Sequence, residues 1–200
     1  MTENKPSKNN LKFLKSAAGF AFEIIKAFVI SLAIILPIRY FLIQPFYVQG
    51  ASMEPTFSTH DYLIINEIEY HFEAPTRGDV VVFKSPYSQK EYFIKRIIGL
   101  PGEKVEIKDG QIYIYNQEHP QGFVLPEDYL PGIQTYTEGK QYSQLQIKNN
   151  EYFVLGDNRN ASLDSRNFGA IPRQNIIGRA WIRGWPFTKL SIFNKVNYKK

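Results

Sequence analysis

Three stretches of this chain carry side chains able to do acyl-transfer chemistry, and none of them contains a histidine. The first, Gly50-Ala51-Ser52-Met53-Glu54-Pro55-Thr56, has a turn-forming composition that presents one hydroxyl. The second is Tyr92-Phe93-Ile94-Lys95-Arg96-Ile97-Ile98-Gly99-Leu100-Pro101-Gly102-Glu103. As a strand it would turn Phe93, Lys95 and Ile97 to one side and Ile94, Arg96 and Ile98 to the other, so each otherwise apolar face carries one cation. A lysine desolvated in such a strand has its charged form disfavoured and becomes available as a general base near neutral pH. Arg96 cannot usefully be deprotonated and reads as structural. The third stretch is the polar loop from Gly156 to Gly169, where Asp164 and Arg166 are spaced to pair and brace the chain. Each stretch alone also has a plainer reading: a turn, a snorkelling or carboxylate-paired lysine, a self-satisfied loop. Together they supply a hydroxyl, a desolvated amine and a braced, hydroxyl-bearing loop, which suggests a serine/lysine endopeptidase.

Composition narrows the alternatives. The 200 residues are 44% apolar, 15% aromatic and 22% charged, enough for one well-buried domain plus an appendage. With no cysteine there is no disulfide framework, thiol nucleophile or thiolate metal site. His60, His71 and His119 lack metal-ligand spacing and read as surface or packing residues, so neither metal nor cofactor is expected. The net charge of +5 is unevenly placed. Lys5, Lys8, Lys12 and Lys15 precede an apolar segment, and residues 165–200 hold Arg166, Arg173, Arg179, Arg183, Lys189, Lys195, Lys199 and Lys200 without any acidic residue. Neither basic stretch forms part of a nucleic-acid-reading motif, and attraction to anionic lipid is the simpler account.

The elements that must position these groups follow in order. Residues 1–16 read as a basic tail, its first ten residues mobile, and 17–43 as a membrane anchor. The cleanest apolar run, 27–38, would rise only about 18 Å as a helix, so spanning needs Glu23 and Lys26 to pair at one interface and Arg39 with Tyr40 to snorkel at the other. The preceding lysines put the amino terminus in the cytoplasm and residues 44–200 on the far side. A cleavable leader is the rival reading, but no small-x-small site follows the apolar run. Beyond the anchor, a mostly β domain is expected, with strands at 46–48, 62–65, 80–83, 92–99, 104–108, 111–115, 144–148 and 152–155. Asp109-Gly110 signals a hairpin, Asn149-Asn150 a second one joining the strands at Leu145 and Phe153. Residues 116–142, rich in Pro and Gly, look like a loop-rich insertion capping a barrel.

The chain resembles the bacterial type I signal peptidases, the leader peptidases that remove signal peptides from exported preproteins. Four ordered motifs carry the likeness: Gly50 to Thr56, Arg77-Gly78-Asp79-Val80, Lys95 to Glu103, and Gly156-Asp157-Asn158-Arg159 through Ser162, Asp164, Ser165 and Arg166. The resemblance implies a signal-peptidase-like β-barrel or folded-sheet catalytic domain behind one transmembrane helix. It implies Ser52 as nucleophile, Lys95 as general base, Ser162 as a hydroxyl holding the lysine amine, and Asp157, Asp164 and Arg166 as supports. Phe46, Val48 and Ile94 match positions lining shallow substrate pockets. Where some relatives carry a serine that donates to the oxyanion hole, this chain has Gly50, which shifts that task toward the Ser52 backbone N–H. The implied partners are exported preproteins and membrane lipid, not nucleic acid, and the implied state is a monomer in the cell membrane. An inactive β-domain that binds exported chains would not need both Ser52 and Lys95. A self-cleaving repressor would need a helix-turn-helix, which the sequence lacks.

Overall fold

A computed structural model describes residues 8–37, 43–196 and 198. Residues 1–7, Arg39, Tyr40 and the rest of 38–42, and Lys199 and Lys200 lie outside the described residues. The chain divides into two compact units, Met1–Leu42 and Ile43–Lys200. The first contains α1, Lys8–Pro37. Its Gly19–Leu36 window has a mean hydropathy of 2.2 and no buried residue, so it is long and apolar enough to cross a membrane. Glu23 and Lys26 stand 3.9 Å apart on it. The helix begins inside the stretch read as a mobile tail, because lysine and leucine are good helix formers and a nucleated helix extends cheaply through them.

The second unit is mostly β. Its strands are β1 (Ile43–Tyr47), β2 (Tyr62–Asn66), β3 (Val80–Lys84), β4 (Tyr92–Gly99), β5 (Lys104–Lys108), β6 (Gln111–Tyr115), β7 (Phe123–Val124), β8 (Gln144–Gln146), β9 (Glu151–Leu155), β10 (Ile171–Pro172), β11 (Ile176–Trp185) and β12 (Ser191–Ile192). Short helices α2 (Glu69–Phe72) and α3 (Ser165–Phe168) interrupt them. One sheet runs β1-β2-β11-β3-β4-β9-β10, with β12 on β11, and a four-stranded sheet runs β7-β6-β5-β8. Among the described strands nothing joins β1 to β10, so these are open sheets rather than a closed barrel. The Val80-Val81-Val82-Phe83 run is buried on both faces because Val80 and Val82 pack into one apolar cluster and Val81 and Phe83 into another.

Strand β4 organises the interior. Ile98 packs with Val105, Ile107, Ile112 and Ile114 of β5 and β6, Ile94 against a cluster of Val48, Met53, Phe57 and Leu63, and Ile97 with Val81, Phe83 and Val154. Lys95 and Arg96 therefore sit where three apolar clusters meet. The hairpin at Asp109-Gly110 has both residues at positive φ (53° and 76°) and pairs Ile107 with Ile112, as a type I′ turn requires.

Three expectations are corrected. Asn150 does turn the chain at φ 64°, but β8 pairs with β5 and β9 with β4 and β10, so the flanking strands enter different sheets instead of forming a hairpin. Strand β11, the longest, went unread because Gly178, Arg179, Arg183 and Gly184 break its apolar alternation. The carboxy-terminal cations are also not unopposed. Arg179 pairs with Glu69 at 2.9 Å, Arg183 with Asp61 at 3.0 Å, Lys195 with Glu69 at 2.8 Å, and Arg166 with Asp164 at 2.8 Å. Except for Asp164, which stands two residues from Arg166, the carboxylates come from remote segments, which a local charge count cannot see.

Close strand approach makes one glycine indispensable. A Cβ on Gly178 would stand 2.5 Å from the Asn66 carbonyl oxygen, whereas one on Gly184 of the same strand would stand 3.9 Å from its nearest neighbour, the Tyr62 carbonyl. Gly178→Ala is expected to cost about 1–3 kcal/mol through forced backbone displacement, and Gly184→Ala to be near neutral. Chemical denaturation of the full chain in detergent measures both, and equal midpoints would contradict the packing described.

Candidate active site

Ser52 sits on a tight turn anchored from below. Met53 and Phe57 are fully buried, and the Glu54 and Phe57 N–H groups donate to the Ala51 and Met53 carbonyls at 3.1 and 2.9 Å. Gly50, at φ +91°, starts the turn in a conformation that disfavours any side chain. With the following residues buried, the half-buried Ser52 is left facing the cleft. Its N–H makes no hydrogen bond to the backbone of any described residue.

Lys95 of β4 reaches this turn from the sheet. It is only 4% exposed, and its Nζ lies 2.8 Å from Ser52 Oγ and 2.8 Å from the Ile94 carbonyl oxygen, with the Phe93 ring centroid at 5.5 Å. Burial lowers its pKa to about 8, against the opposing pull of Asp164 and Asp157.

Both carboxylates are engaged by an arginine of their own. Asp157 accepts from Arg96 Nε and Nη2 at 2.8 and 2.6 Å and from Thr56 Oγ1 at 2.5 Å. It thereby ties β4, the Ser52 turn and the loop after β9 to one buried group. Asp164 accepts from Arg166 Nε and Nη2 at 2.9 and 2.8 Å and from the Gly156 N–H at 3.1 Å. Burial alone would raise its pKa, but the Arg166 bonds and charge hold it below the usual carboxylate range.

The loop after β9 grips the turn directly. The Asn158 N–H donates to the Ser52 carbonyl, and its side-chain amide to the Ala51 carbonyl, both at 3.1 Å. Gly156 fits between: a Cβ there would lie 2.4 Å from the Ser52 carbonyl oxygen and 2.2 Å from Ser162 Oγ. Ser162 is 5% exposed, and among the described residues its hydroxyl makes no hydrogen bond of good geometry, although it lies near enough to Asp164 to help hold that carboxylate's pKa down. The amine that Ser162 was expected to hold bonds instead to Ser52 and the Ile94 carbonyl.

Sequence reasoning missed a whole set of supports in the insertion. Arg159 forms a two-armed bond to Glu127 at 2.5 and 2.6 Å and reaches Thr135 Oγ1 at 2.5 Å. Lys140 Nζ donates to the Ser162 carbonyl at 3.1 Å, the Tyr142 N–H to the Arg166 carbonyl at 2.8 Å, and Arg166 Nη1 to the Tyr136 carbonyl at 2.9 Å. Residues 116–142 thus buttress the loop carrying Ser162 and Asp164. A stretch rich in Pro and Gly gives no signal of that.

Phe46, Val48 and Ile94 line a depression of about 510 Å³ that also includes Ser52 and Lys95. Leu63, Val82, Tyr92, Ala161 and Leu163 complete its mostly apolar wall, and Tyr92 meets Phe46 edge-on at 5.4 Å. Among the described residues no cluster of His, Cys, Asp or Glu is placed to hold a metal ion. His60 stacks on Tyr47 and His119 packs on Phe123; neither is hydrogen-bonded to Ser52.

Residues 21–185 match the family described as signal peptidase, peptidase S26. A probable signal peptidase I-2 of Synechocystis sp. is 35% identical over 96% of this chain and 86% of its own length. The signal peptidase I of Leptolyngbya laminosa is 41% identical over 84% of this chain and 81% of its own. The signal peptidase IB of Staphylococcus aureus is 33% identical over 88% and 96%.

The Lys95 environment has a stability consequence. Its folded pKa, about 8, lies below the ordinary 10.5, so below pH 8 both folded and unfolded chains carry the proton and the folded state bears the full cost of burying it. That cost, about 3 kcal/mol from the pKa difference, fades as pH rises from 8 toward 10.5. Lys95→Met is therefore expected to be more stable than wild type by about 1–3 kcal/mol at pH 7, the margin being trimmed by two lost hydrogen bonds. The margin should narrow at alkaline pH. Denaturation across pH 6–10 measures it, and a variant less stable throughout would refute a costly buried amine.

Proposed function

The chain belongs to the signal peptidase family, peptidase S26, and is a hydrolase that cleaves signal peptides; from that premise we propose that it does so as a membrane-anchored serine endopeptidase in which Ser52 attacks and Lys95 acts as general base. The observation that carries this reading is the 2.8 Å contact between Lys95 Nζ and Ser52 Oγ at the floor of an apolar depression. In the neutral form the amine takes the Ser52 proton as the oxygen attacks the scissile carbonyl. The unclaimed Ser52 N–H supplies oxyanion stabilisation, Gly50 offering no hydroxyl for it. The lysine then protonates the leaving amine, and finally activates water to release the acyl group. Asp157, Asp164 and Arg166 fix the loop around the dyad, and Ser162 stands beside it.

Phe46, Val48 and Ile94 form the walls that receive the residues before the scissile bond, and their bulk favours small side chains there. The substrates are exported preproteins. Residues 17–43 anchor the protein as a single-pass segment with a cytoplasmic tail of residues 1–16, and residues 44–200 work outside the cytoplasm as a monomer. An anchor joined directly to the catalytic turn raises the local concentration of scissile bonds at the lipid surface.

Two measurements test the reading. Ser52→Ala is expected to abolish cleavage of a model preprotein while leaving the fold intact, since a half-buried hydroxyl contributes little to stability; retained turnover sinks the assignment. The rate should rise with pH through about 8 as Lys95 loses its proton. Lys95→Arg should be inactive at every pH, because guanidinium stays charged. An acid limb that moves only when a histidine is replaced would show the base to be elsewhere.

A further inference from the structure

A second depression, of about 480 Å³, adjoins the catalytic one and shares no lining residue with it. Its walls come from the same two elements. Ser52 and Ala161 belong to the first depression, while Glu54 and Pro55 of the nucleophile turn and Asn158 to Asn160 of the same loop belong to the second. Asn158, bonded to the Ala51 and Ser52 carbonyls, stands at the divide. The far wall is the insertion, where Ile133 is 38% and Tyr136 47% exposed.

We propose that this depression receives the polypeptide segment following the scissile bond, and that Glu54 makes it prefer a basic side chain over an acidic one at the second or third position after that bond. This deepens the function proposed above and rests on it. Once the apolar depression holds the acyl side, an extended chain must leave across Ser52 in one direction or the other, and the 480 Å³ depression is the adjoining space on that path. An extended peptide advances about 3.3 Å per residue, so Glu54, two residues beyond Ser52 on a tight turn, falls opposite the second or third leaving-side residue. Two charges line the site. The Arg159 guanidinium is buried and held by Glu127, which leaves Glu54 as the exposed one. The recognised ligand is therefore an unfolded segment laid along Ile133 and Tyr136, its charge read by one carboxylate.

The test uses the full chain in detergent and synthetic peptides carrying small residues before the scissile bond and Lys, Gln or Glu at the second or third position after it. For wild type, kcat/KM should fall in the order Lys, Gln, Glu by about threefold per step at low salt, as expected for a solvent-exposed charge pair, and the order should flatten as salt is raised. Glu54→Gln should bring the Lys-to-Glu ratio near one, and Glu54→Lys should invert it. Tyr136→Ala should raise KM for these peptides more than for one truncated after the first leaving-side residue. Ratios identical in wild type and both Glu54 variants would overturn the proposal. So would an equal Glu54 effect when the charge is moved to the fifth position before the bond, since that reports a general field and no subsite. If wild type cleaves none of the peptides, the proposed function fails and takes this inference with it; cleavage without charge dependence removes the inference alone.

Discussion

Everything around the site depends on keeping one amine dry beside two buried carboxylates. Water exclusion drives Lys95 toward its neutral form, while Asp157 and Asp164 pull the proton back on. A bare carboxylate buried near that amine would favour the ammonium. Each aspartate is held by an arginine through two hydrogen bonds, Asp157 by Arg96 and Asp164 by Arg166, so neither acid is a bare charge. Desolvation then prevails, leaving the pKa at about 8.

Such buried pairs are weak devices for stability, since desolvating both partners offsets most of their attraction. Their value here is geometric. Asp157 receives bonds from β4 and from Thr56 on the Ser52 turn, and sits on the loop after β9, so one residue sets the relative position of all three. The Asp164–Arg166 pair orients the loop holding Ser162, and Arg166 in turn reaches the Tyr136 and Arg159 carbonyls. The insertion continues that chain of bonds outward through Glu127 and Lys140. A region that reads as a lid thus forms the outer support of the catalytic loop.

How legible this was in the sequence followed the range of each interaction. The Asp109-Gly110 hairpin, β4 with its two cations, and the Asp164–Arg166 pair are local patterns and could be read from neighbours. Arg96 and Asp157 lie 61 positions apart, and Arg159 and Glu127 lie 32 apart; no spacing rule joins them. Strand β11 escaped because its arginines, which read as part of a lipid-attracted basic stretch, are neutralised by Asp61 and Glu69 from remote segments. Gly156 stood in a motif that carries the resemblance, but its physical reason was not legible there, since it comes from what stands beside it: the Ser52 carbonyl and the Ser162 hydroxyl.

A pKa near 8 also bears on when the amine becomes competent. At pH 7 an amine with a pKa of about 8 still carries its proton in most molecules, so further desolvation would be needed to leave it neutral. What exposure remains lies on the side of the 510 Å³ depression, which Lys95 lines together with the half-buried Ser52. Any polypeptide segment that fills the depression displaces water from it and disfavours the charged form further. Under the proposed function, the apolar walls of Phe46, Val48 and Ile94 would do more than select side chains, because a segment seated against them would also complete the desolvation of Lys95.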